Sequence, residues 1–204
     1  MSKERPFILC LTGSVGMGKS TAAKFFAEAG VPVHDSDAVV HALYEGAAVP
    51  LIEEAFPGST AGGKVDRTRL AAMVLDDKAA LATLEAIVHP MVKTLREQFL
   101  AEAQARGEEV VVLDVPLLFE TAAEGVCDAV AVVSAPAETQ RRRVLTRPGM
   151  TEDKYAAILG KQTPDAEKRS RADFIVDTSK EFDHTRAQVR DILQAIATMR
   201  KRSR

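Results

Sequence analysis

The residues with the clearest chemical meaning lie between positions 13 and 21, which read GSVGMGKST. Gly13, four further residues and then Gly18-Lys19-Ser20 fit the pattern G-x-x-x-x-G-K-[ST], in which closely spaced glycines let successive backbone N–H groups surround phosphate oxygens. Lys19 is expected to reach the β and γ phosphates of a nucleoside triphosphate, and Ser20 to bind the Mg²⁺ that bridges them. The residues expected to contact the nucleotide are Gly13, Val15, Gly16, Met17, Gly18, Lys19, Ser20 and Thr21.

Two carboxylates that could act as a base follow the second apolar run of the chain. Asp35 and Asp37 come directly after residues 31–34, and open α/β sheets bind their ligands at the carboxyl ends of the strands. We expect one of them, Asp37 in the first place and Asp35 as the alternative, to accept a hydroxyl proton. A structural role for Asp37, as the cap of the next helix, stays open beside this one.

Further charged candidates lie in the second half of the chain. Asp114 ends a predicted strand and could hold Mg²⁺ through water, although a strand-end carboxylate without a catalytic role is an equal alternative. Arg143 and Arg147 are four positions apart on a predicted helix and can share a face. Two such arginines could clamp a phosphoryl group during transfer, and the alternative is a solvated basic surface.

These candidates need a parallel sheet to position them. Short β-branched or apolar runs alternate with longer helical patterns, which is typical of strands joined by crossover helices. The predicted class is therefore α/β, with a parallel sheet of the P-loop type flanked by helices. The predicted strands cover residues 7–12, 31–34, 109–114, 129–133 and 174–176, and a helix over residues 20–29 follows the first.

Two longer helical segments interrupt the alternation. Residues 38–107 have helical spacing, broken by a loop at 57–64 and by Pro90, and predict an inserted helical lobe. Residues 141–171 are helical and basic, which favours a lid. Asp66 and either Asp76 or Asp77 are the expected caps of helices in the lobe. The core of this single domain then comprises about residues 6–37, 108–140 and 172–204.

Composition and cysteine usage limit the functional classes. With 204 residues, 46% of them hydrophobic, the chain can fill a sizeable core, and no apolar run is long enough to span a membrane. The net charge of −2 gives no overall reason to expect a nucleic-acid partner. Cys10 and Cys127 lie in apolar surroundings, which favours buried free thiols over a disulfide or metal site. We expect a cytoplasmic protein without an obligate protein partner.

Several motifs follow one another in the order found in one kinase family. LTGSVGMGKST, VHDSD, VDRTRL, HPMV, VPLLFE and ETQRRRVLTR extend over nearly the whole chain, and the combination of HP, PLLFE and QxxRxxxR is specific. The chain resembles the dephospho-CoA kinases, which phosphorylate the ribose 3'-hydroxyl of dephospho-CoA with ATP. Gln162 and Ala172-Asp173 fit as well, whereas DTSK at 177–180 replaces the Asn-containing sequence of many relatives near the adenine.

The resemblance implies ATP and dephospho-CoA as substrates, and it implies that His89 faces the acceptor nucleotide. A helix-boundary role for His89-Pro90 stays open. Pro116, Leu117 and Leu118 are expected to form an apolar wall beneath the acceptor. The alternatives are a nucleoside-monophosphate kinase and a regulatory module that binds ATP without transferring phosphate. A carboxylate at Asp37 favours a hydroxyl acceptor over a phosphate acceptor.

Overall fold

The computed structural model describes residues 4–202 and divides into two compact units. Met1–His34 and Ala103–Arg204 form the first unit, and Asp35–Glu102 forms the second. The strands are β1 (Phe7–Thr12), β2 (Val33–Asp35), β3 (Thr60–Ala61), β4 (Lys64–Val65), β5 (Val110–Asp114), β6 (Ala129–Ser134) and β7 (Phe174–Asp177). The helices are α1 (Lys19–Glu28), α2 (Ser36–Tyr44), α3 (Val49–Ala55), α4 (Arg67–Val74), α5 (Lys78–Arg106), α6 (Ala137–Leu145), α7 (Glu152–Leu159), α8 (Asp165–Ser170) and α9 (Phe182–Arg202).

A five-stranded sheet with the order β2-β5-β1-β6-β7 confirms the predicted α/β class. Strand β1 pairs in parallel with β5 and β6, and β6 pairs in parallel with β7. Leu9 and Leu11 of β1 are fully buried, and Phe26 of α1 and Ile196 of α9 belong to the same core cluster. A strand buried on both faces explains the continuous apolar run FILCL, because Ile8 to Leu11 are buried and only Phe7, at the start of the strand, is partly exposed. All five predicted strands occur, with small shifts of their ends.

The second unit has a hydrophobic core of its own, which includes Leu43, Ile52 and Leu84. The caps expected here are confirmed. Asp66 Oδ1 accepts hydrogen bonds from the N–H groups of the first turn of α4, and Asp77, rather than Asp76, does the same for α5.

Of the two predicted breaks in the helical pattern, the one at residues 57–64 is confirmed, because α3 ends at Ala55 and α4 begins at Arg67, and the one at Pro90 is wrong. Residues 57–64 contain part of a short antiparallel hairpin, β3–β4, which turns through Gly62 and Gly63 at φ values of 59° and 76°. Pro90 lies inside α5 and does not end it. A proline removes one helical hydrogen bond, but Val88 before it and Val92 after it both pack in the core of the unit. The burial of this continuous apolar face offsets the lost bond.

The expectation of free thiols is also wrong, because Cys10 and Cys127 form a disulfide with their Cα atoms 5.6 Å apart. Asp128 N–H donates to Ile8 O at 2.8 Å, and Ile8 N–H donates to Asp128 Oδ2 at 2.8 Å, so the segment entering β6 lies against β1. Sequence spacing cannot reveal this contact, since 117 positions separate the two cysteines. The cysteines therefore give no support to a reducing compartment.

We expect reduction of this disulfide to destabilise the protein. Opening a loop of this length restores chain entropy to the unfolded state, and the free energy of unfolding should fall by about 4–5 kcal/mol. Urea unfolding with and without a reductant measures the change. Cys127→Ser is the control, since a reductant should not alter its stability further. Equal stability of the native chain in both conditions, together with two titratable thiols, would contradict the bond.

Among residues 4–202, no helix is long and apolar enough to cross a lipid bilayer.

Candidate active site

The glycine-rich loop connects the central strand to the helix that follows it. Strand β1 ends at Thr12 and α1 begins at Lys19, so the strand, loop and helix order required by the phosphate-loop motif is present. Gly18 is the N-cap of α1 at φ 90°, without a side-chain cap on the helix. Within residues 4–202, the N–H groups of Gly16, Gly18 and Lys19 have no hydrogen-bond partner. These free donors at the positive end of a helix are suited to bind phosphate oxygens.

The segments that follow β6 and β7 hold the loop at Met17. Thr178 Oγ1 donates to Met17 O at 2.6 Å, and Ala135 N–H contacts Met17 Sδ at 3.2 Å. Met17 is only 2% exposed, so its side chain packs in the core and is not a phosphate contact. A Cβ at Gly18 would lie 3.0 Å from Thr178 Oγ1, which explains why a glycine stands there.

Lys19 is paired with the carboxylate at the end of β5. Its Nζ bonds to Asp114 Oδ1, and the exposed fractions of the two side chains are 16% and 4%. Lys19 is therefore largely buried. The pair places the ammonium group at the carboxyl end of β5, where it can turn from Asp114 to phosphates when a nucleotide binds.

The oxygen groups around Lys19 fit Mg²⁺ bound through a nucleotide. The Ser20 side chain is exposed in the first turn of α1, and Asp114 supplies a carboxylate. Mg²⁺ takes one or two protein oxygens and completes its coordination with phosphates and water. The described part of the chain contains no group of three or more His, Cys, Asp or Glu side chains that could hold a metal ion.

The two predicted arginines occupy different positions. Helix α6 ends at Leu145, so Arg147 lies beyond it and the shared helix face predicted for the pair is wrong. Pro148 explains the early end, because the residue before a proline avoids the helical region. Arg143 donates to Thr178 Oγ1 at 3.0 Å and to Thr178 O at 2.7 Å. Arg147 is exposed and makes no described side-chain bond.

The segment after β5 contributes less apolar surface than predicted. Leu118 is fully buried and cannot line a ligand surface, which corrects its assignment to a wall. Leu117 is 44% exposed, and Pro116 is half-buried with its carbonyl accepting a hydrogen bond from Thr12 Oγ1 at 3.2 Å. Of the three residues predicted to form this wall, only Pro116 and Leu117 therefore remain candidates for contact with a substrate.

A buried ion pair joins this segment to the region predicted as a lid. Lys168 of α8 is fully buried, and its Nζ lies 2.8 Å from Glu120 Oε1. Thr163 N–H donates to the same carboxylate at 2.8 Å. Burial acts to raise the pKa of Glu120, and the contacts with Lys168 and Thr163 more than offset it, so the pKa is lowered. These contacts fix the position of the neighbouring Gln162.

The remaining predicted site residues belong to the second unit. Asp35 caps α2, since its Oδ1 accepts from Asp37 N–H at 2.9 Å and Ala38 N–H at 3.0 Å. The capping role considered for Asp37 therefore falls to Asp35. The exposed carboxylate of Asp37 has no hydrogen-bond partner among the described residues. His89 is exposed in the interior of α5, which removes the helix-boundary interpretation.

A polar cavity of about 400 Å³ opens beside the loop segments that follow β6 and β7. Its lining includes Ser134, Pro136, Asp165, Asp177 and Ser179. Ser179 N–H donates to Asp177 Oδ1 at 2.8 Å. Burial tends to raise the pKa of Asp177, but the hydrogen bonds from Ser179 lower it overall.

Sequence reasoning gave no role to several residues that contact the loop. Gln140 and Gln162 bond to the backbone of Val15, and Thr178 bonds to that of Met17. Gln140 and Gln162 were visible in the motif series, but their partners are 125 and 147 positions away in sequence. Only the fold shows that they meet the loop.

Comparison with known proteins gives sequence relatives along almost the entire chain. The family model for dephospho-CoA kinase, CoaE, matches residues 7–184. A dephospho-CoA kinase of Bradyrhizobium diazoefficiens is 60% identical over 195 residues, which cover 96% of this chain and 98% of that protein. A dephospho-CoA kinase of Rhodopseudomonas palustris is 59% identical with the same coverage.

One solved structure is similar to this chain in both fold and sequence. A Thermus thermophilus protein superimposes with a TM-score of 0.81 at 35% identity, over 94% of this chain and 98% of that one. Its fold is therefore shared over nearly the full length. Because the family model and these relatives match most of the chain, the chain belongs to the dephospho-CoA kinase family.

Proposed function

We propose that this chain transfers the γ-phosphoryl group of ATP to the ribose 3'-hydroxyl of dephospho-CoA, giving CoA and ADP. The observation that carries the proposal is the loop at 13–19, whose N–H groups at Gly16, Gly18 and Lys19 have no hydrogen-bond partner within residues 4–202 and can bind the oxygens of a triphosphate. Membership of the dephospho-CoA kinase family supports the choice of acceptor. The second unit is proposed to bind that acceptor, and residues 141–171 to act as a lid.

Lys19 and the loop supply charge stabilisation in this proposal. The loop N–H groups hold the phosphates in place, and the Lys19 ammonium exchanges its contact with Asp114 for the β and γ phosphates. Phosphoryl transfer needs little covalent chemistry from the protein, so positioning and charge neutralisation account for most of the acceleration. Mg²⁺, which Ser20 and Asp114 would hold together with the phosphates, supplies further neutralisation of the charge on the phosphate oxygens.

Asp37 is proposed as the base that orients the 3'-hydroxyl and accepts its proton. The Asp35 carboxylate already accepts hydrogen bonds from the N–H groups at the start of α2. This supports Asp37, rather than Asp35, as the base. The Asp37 carboxylate accepts no hydrogen bond from the described residues. His89, exposed on α5, is proposed to contact the acceptor nucleotide.

The polar cavity lined by Ser134 and Asp177 is proposed to take the base of ATP. It lies where β6 and β7 end, and ligands of open α/β sheets bind beyond the carboxyl ends of the strands. Thr178 and Ser179 stand next to it in place of the Asn-containing sequence of many relatives. Thr178 donates to the loop at Met17 O, and Ser179 N–H donates to Asp177 Oδ1.

Arg147 is the arginine proposed to grip the γ-phosphoryl group, because Arg143 is already held by Thr178. We expect Arg147→Lys to lower kcat by about tenfold or more while the KM for ATP stays unchanged, since lysine keeps the charge and loses the planar fork. Arg143→Lys should instead raise the KM for ATP. Steady-state kinetics on both variants measure kcat and the KM for ATP separately. Arg142→Lys, at an exposed position, serves as control. An unchanged kcat in Arg147→Lys would refute the assignment.

We also propose a cytoplasmic location, which rests on the need for ATP and not on the cysteines. The disulfide between Cys10 and Cys127 weighs against it.

An acceptor panel separates this function from its alternatives. ADP release is measured with ATP and Mg²⁺ in the presence of dephospho-CoA, of AMP, or of no acceptor. The proposal predicts that ADP is released only in the arm that contains dephospho-CoA. Release with AMP would favour a nucleoside-monophosphate kinase, and ATP binding without release in any arm would favour a regulatory module.

A further inference from the structure

Two glutamine side chains hold the backbone on either side of Val15. Gln140 Nε2 donates to Val15 O at 2.8 Å, and Val15 N–H donates to Gln162 Oε1 at 3.1 Å. Gln140 is only 4% exposed, and the Tyr155 hydroxyl donates to its Oε1 at 3.2 Å. A carbonyl oxygen can only accept, so Val15 O requires the NH₂ group of Gln140, which leaves Oε1 for Tyr155. Both ends of this buried amide are therefore satisfied in one orientation.

The bond to Val15 O also sets the direction of the next N–H group. Val15 C=O and Gly16 N–H belong to one planar trans peptide, in which the two groups point in opposite directions. Because Gln140 draws the carbonyl toward α6, the Gly16 N–H points away from that helix. This N–H is one of the loop donors without a partner in the described part of the chain.

Helix α6 also packs directly against Gly16. A Cβ at this position would lie 2.5 Å from Val144 Cγ2 and 3.1 Å from Gln140 O, and the φ of Gly16 is 77°. The peptide therefore rests against the helix that carries Gln140, and no side chain could be inserted between them.

We propose that Gln140, oriented by Tyr155, is a positioning residue that keeps the Gly16 N–H directed at the phosphates of ATP. The proposal rests on the function of the loop proposed above. If this peptide rotated, the negative end of a carbonyl would face the phosphates in place of an N–H donor, and binding would become repulsive where it is now attractive. Gln162 restrains the preceding peptide from the other side.

Gln140→Glu is the sharpest test, because it keeps the shape of the side chain and places a carboxylate oxygen against Val15 O. Removal of one hydrogen bond to a charged group predicts a loss of ATP affinity of roughly 10- to 100-fold. The affinity for AMP, which has no β or γ phosphate, should not change. Isothermal titration with both nucleotides measures the difference, which a general loss of structure would not produce.

A spectroscopic readout follows the same peptide directly. In protein labelled with ¹⁵N-glycine, the Gly16 amide resonance should shift when ADP is added to the native chain and should not shift in Gln140→Glu.

Tyr155→Phe, which removes only the hydroxyl that orients Gln140, should also lower ATP affinity, but by less than Gln140→Glu does. Gln194→Glu makes the same chemical change at an exposed position of α9 and serves as control. Gln140→Met replaces Gln140→Glu in these measurements if the glutamate variant does not fold.

Three results would overturn the proposal. The first is an equal loss of ATP and AMP affinity, which would indicate a merely structural residue. The second is unchanged ATP affinity in Gln140→Glu while Lys19→Met loses it, which would leave the loop assignment intact. The third is unchanged ATP affinity in Lys19→Met as well, which would remove the loop assignment together with the role of Gln140.

Discussion

Lys19→Met should lower kcat/KM for ATP by at least about 10³-fold, since no other side chain of the loop can bring a positive charge to the β and γ phosphates. Methionine keeps most of the volume of the side chain, so the packing around it should persist. Steady-state turnover with dephospho-CoA measures the loss. Lys24→Met is the matched control, because Lys24 lies on the same helix with a 72% exposed side chain and should be neutral.

The same substitution should also reduce stability. It removes the ammonium group that neutralises Asp114, whose side chain is 4% exposed, and a buried carboxylate that loses its cation costs about 3–5 kcal/mol. The double variant Lys19→Met/Asp114→Asn should recover most of this loss without recovering activity. Turnover near the native level in a folded Lys19→Met protein would reject the phosphate loop as the ATP site.

Asp37→Asn should lower kcat by roughly 10²- to 10⁴-fold, the usual effect of losing a general base, provided that chemistry limits turnover. The carboxylate is exposed in the first turn of α2 without a hydrogen bond from the described residues, so its replacement should leave melting unchanged. Affinities for ATP and for dephospho-CoA should change little. Rapid-quench measurement of a single turnover reports the chemical step directly.

Asp35→Asn is the control for this prediction. Asparagine caps a helix about as well as aspartate, so both structure and kcat should be kept, whereas Asp35→Ala should cost about 1 kcal/mol of stability. If Asp35→Asn loses kcat and Asp37→Asn keeps it, the two roles are exchanged. If both variants keep kcat, no base lies in this turn.

The strand, loop and helix around the nucleotide site could be predicted from sequence because its determinants are local. A buried strand has to be apolar throughout, and a phosphate loop requires glycines and a lysine at fixed spacing. The end of α6 was also within reach, since Pro148 disfavours a helix at Arg147. Which of Asp35 and Asp37 caps α2 could not be predicted, because either residue could do so by sequence pattern.

Other features depend on contacts between distant segments. The disulfide between Cys10 and Cys127, the buried side chain of Met17 and the bond from Gln140 to Val15 all join parts of the chain more than 100 positions apart. No local pattern carries that information. The motifs identified candidate residues, and the fold shows which distant residues they contact.

The most direct test of the central claim is the identity of the product. The protein is incubated with ATP, Mg²⁺ and dephospho-CoA, and the acceptor is analysed by mass spectrometry and by ³¹P NMR. The account predicts that dephospho-CoA gains one phosphoryl group as a monoester on the ribose 3'-oxygen, in step with ADP formation and not in Lys19→Met. Unmodified dephospho-CoA after incubation with folded, ATP-binding protein would contradict it.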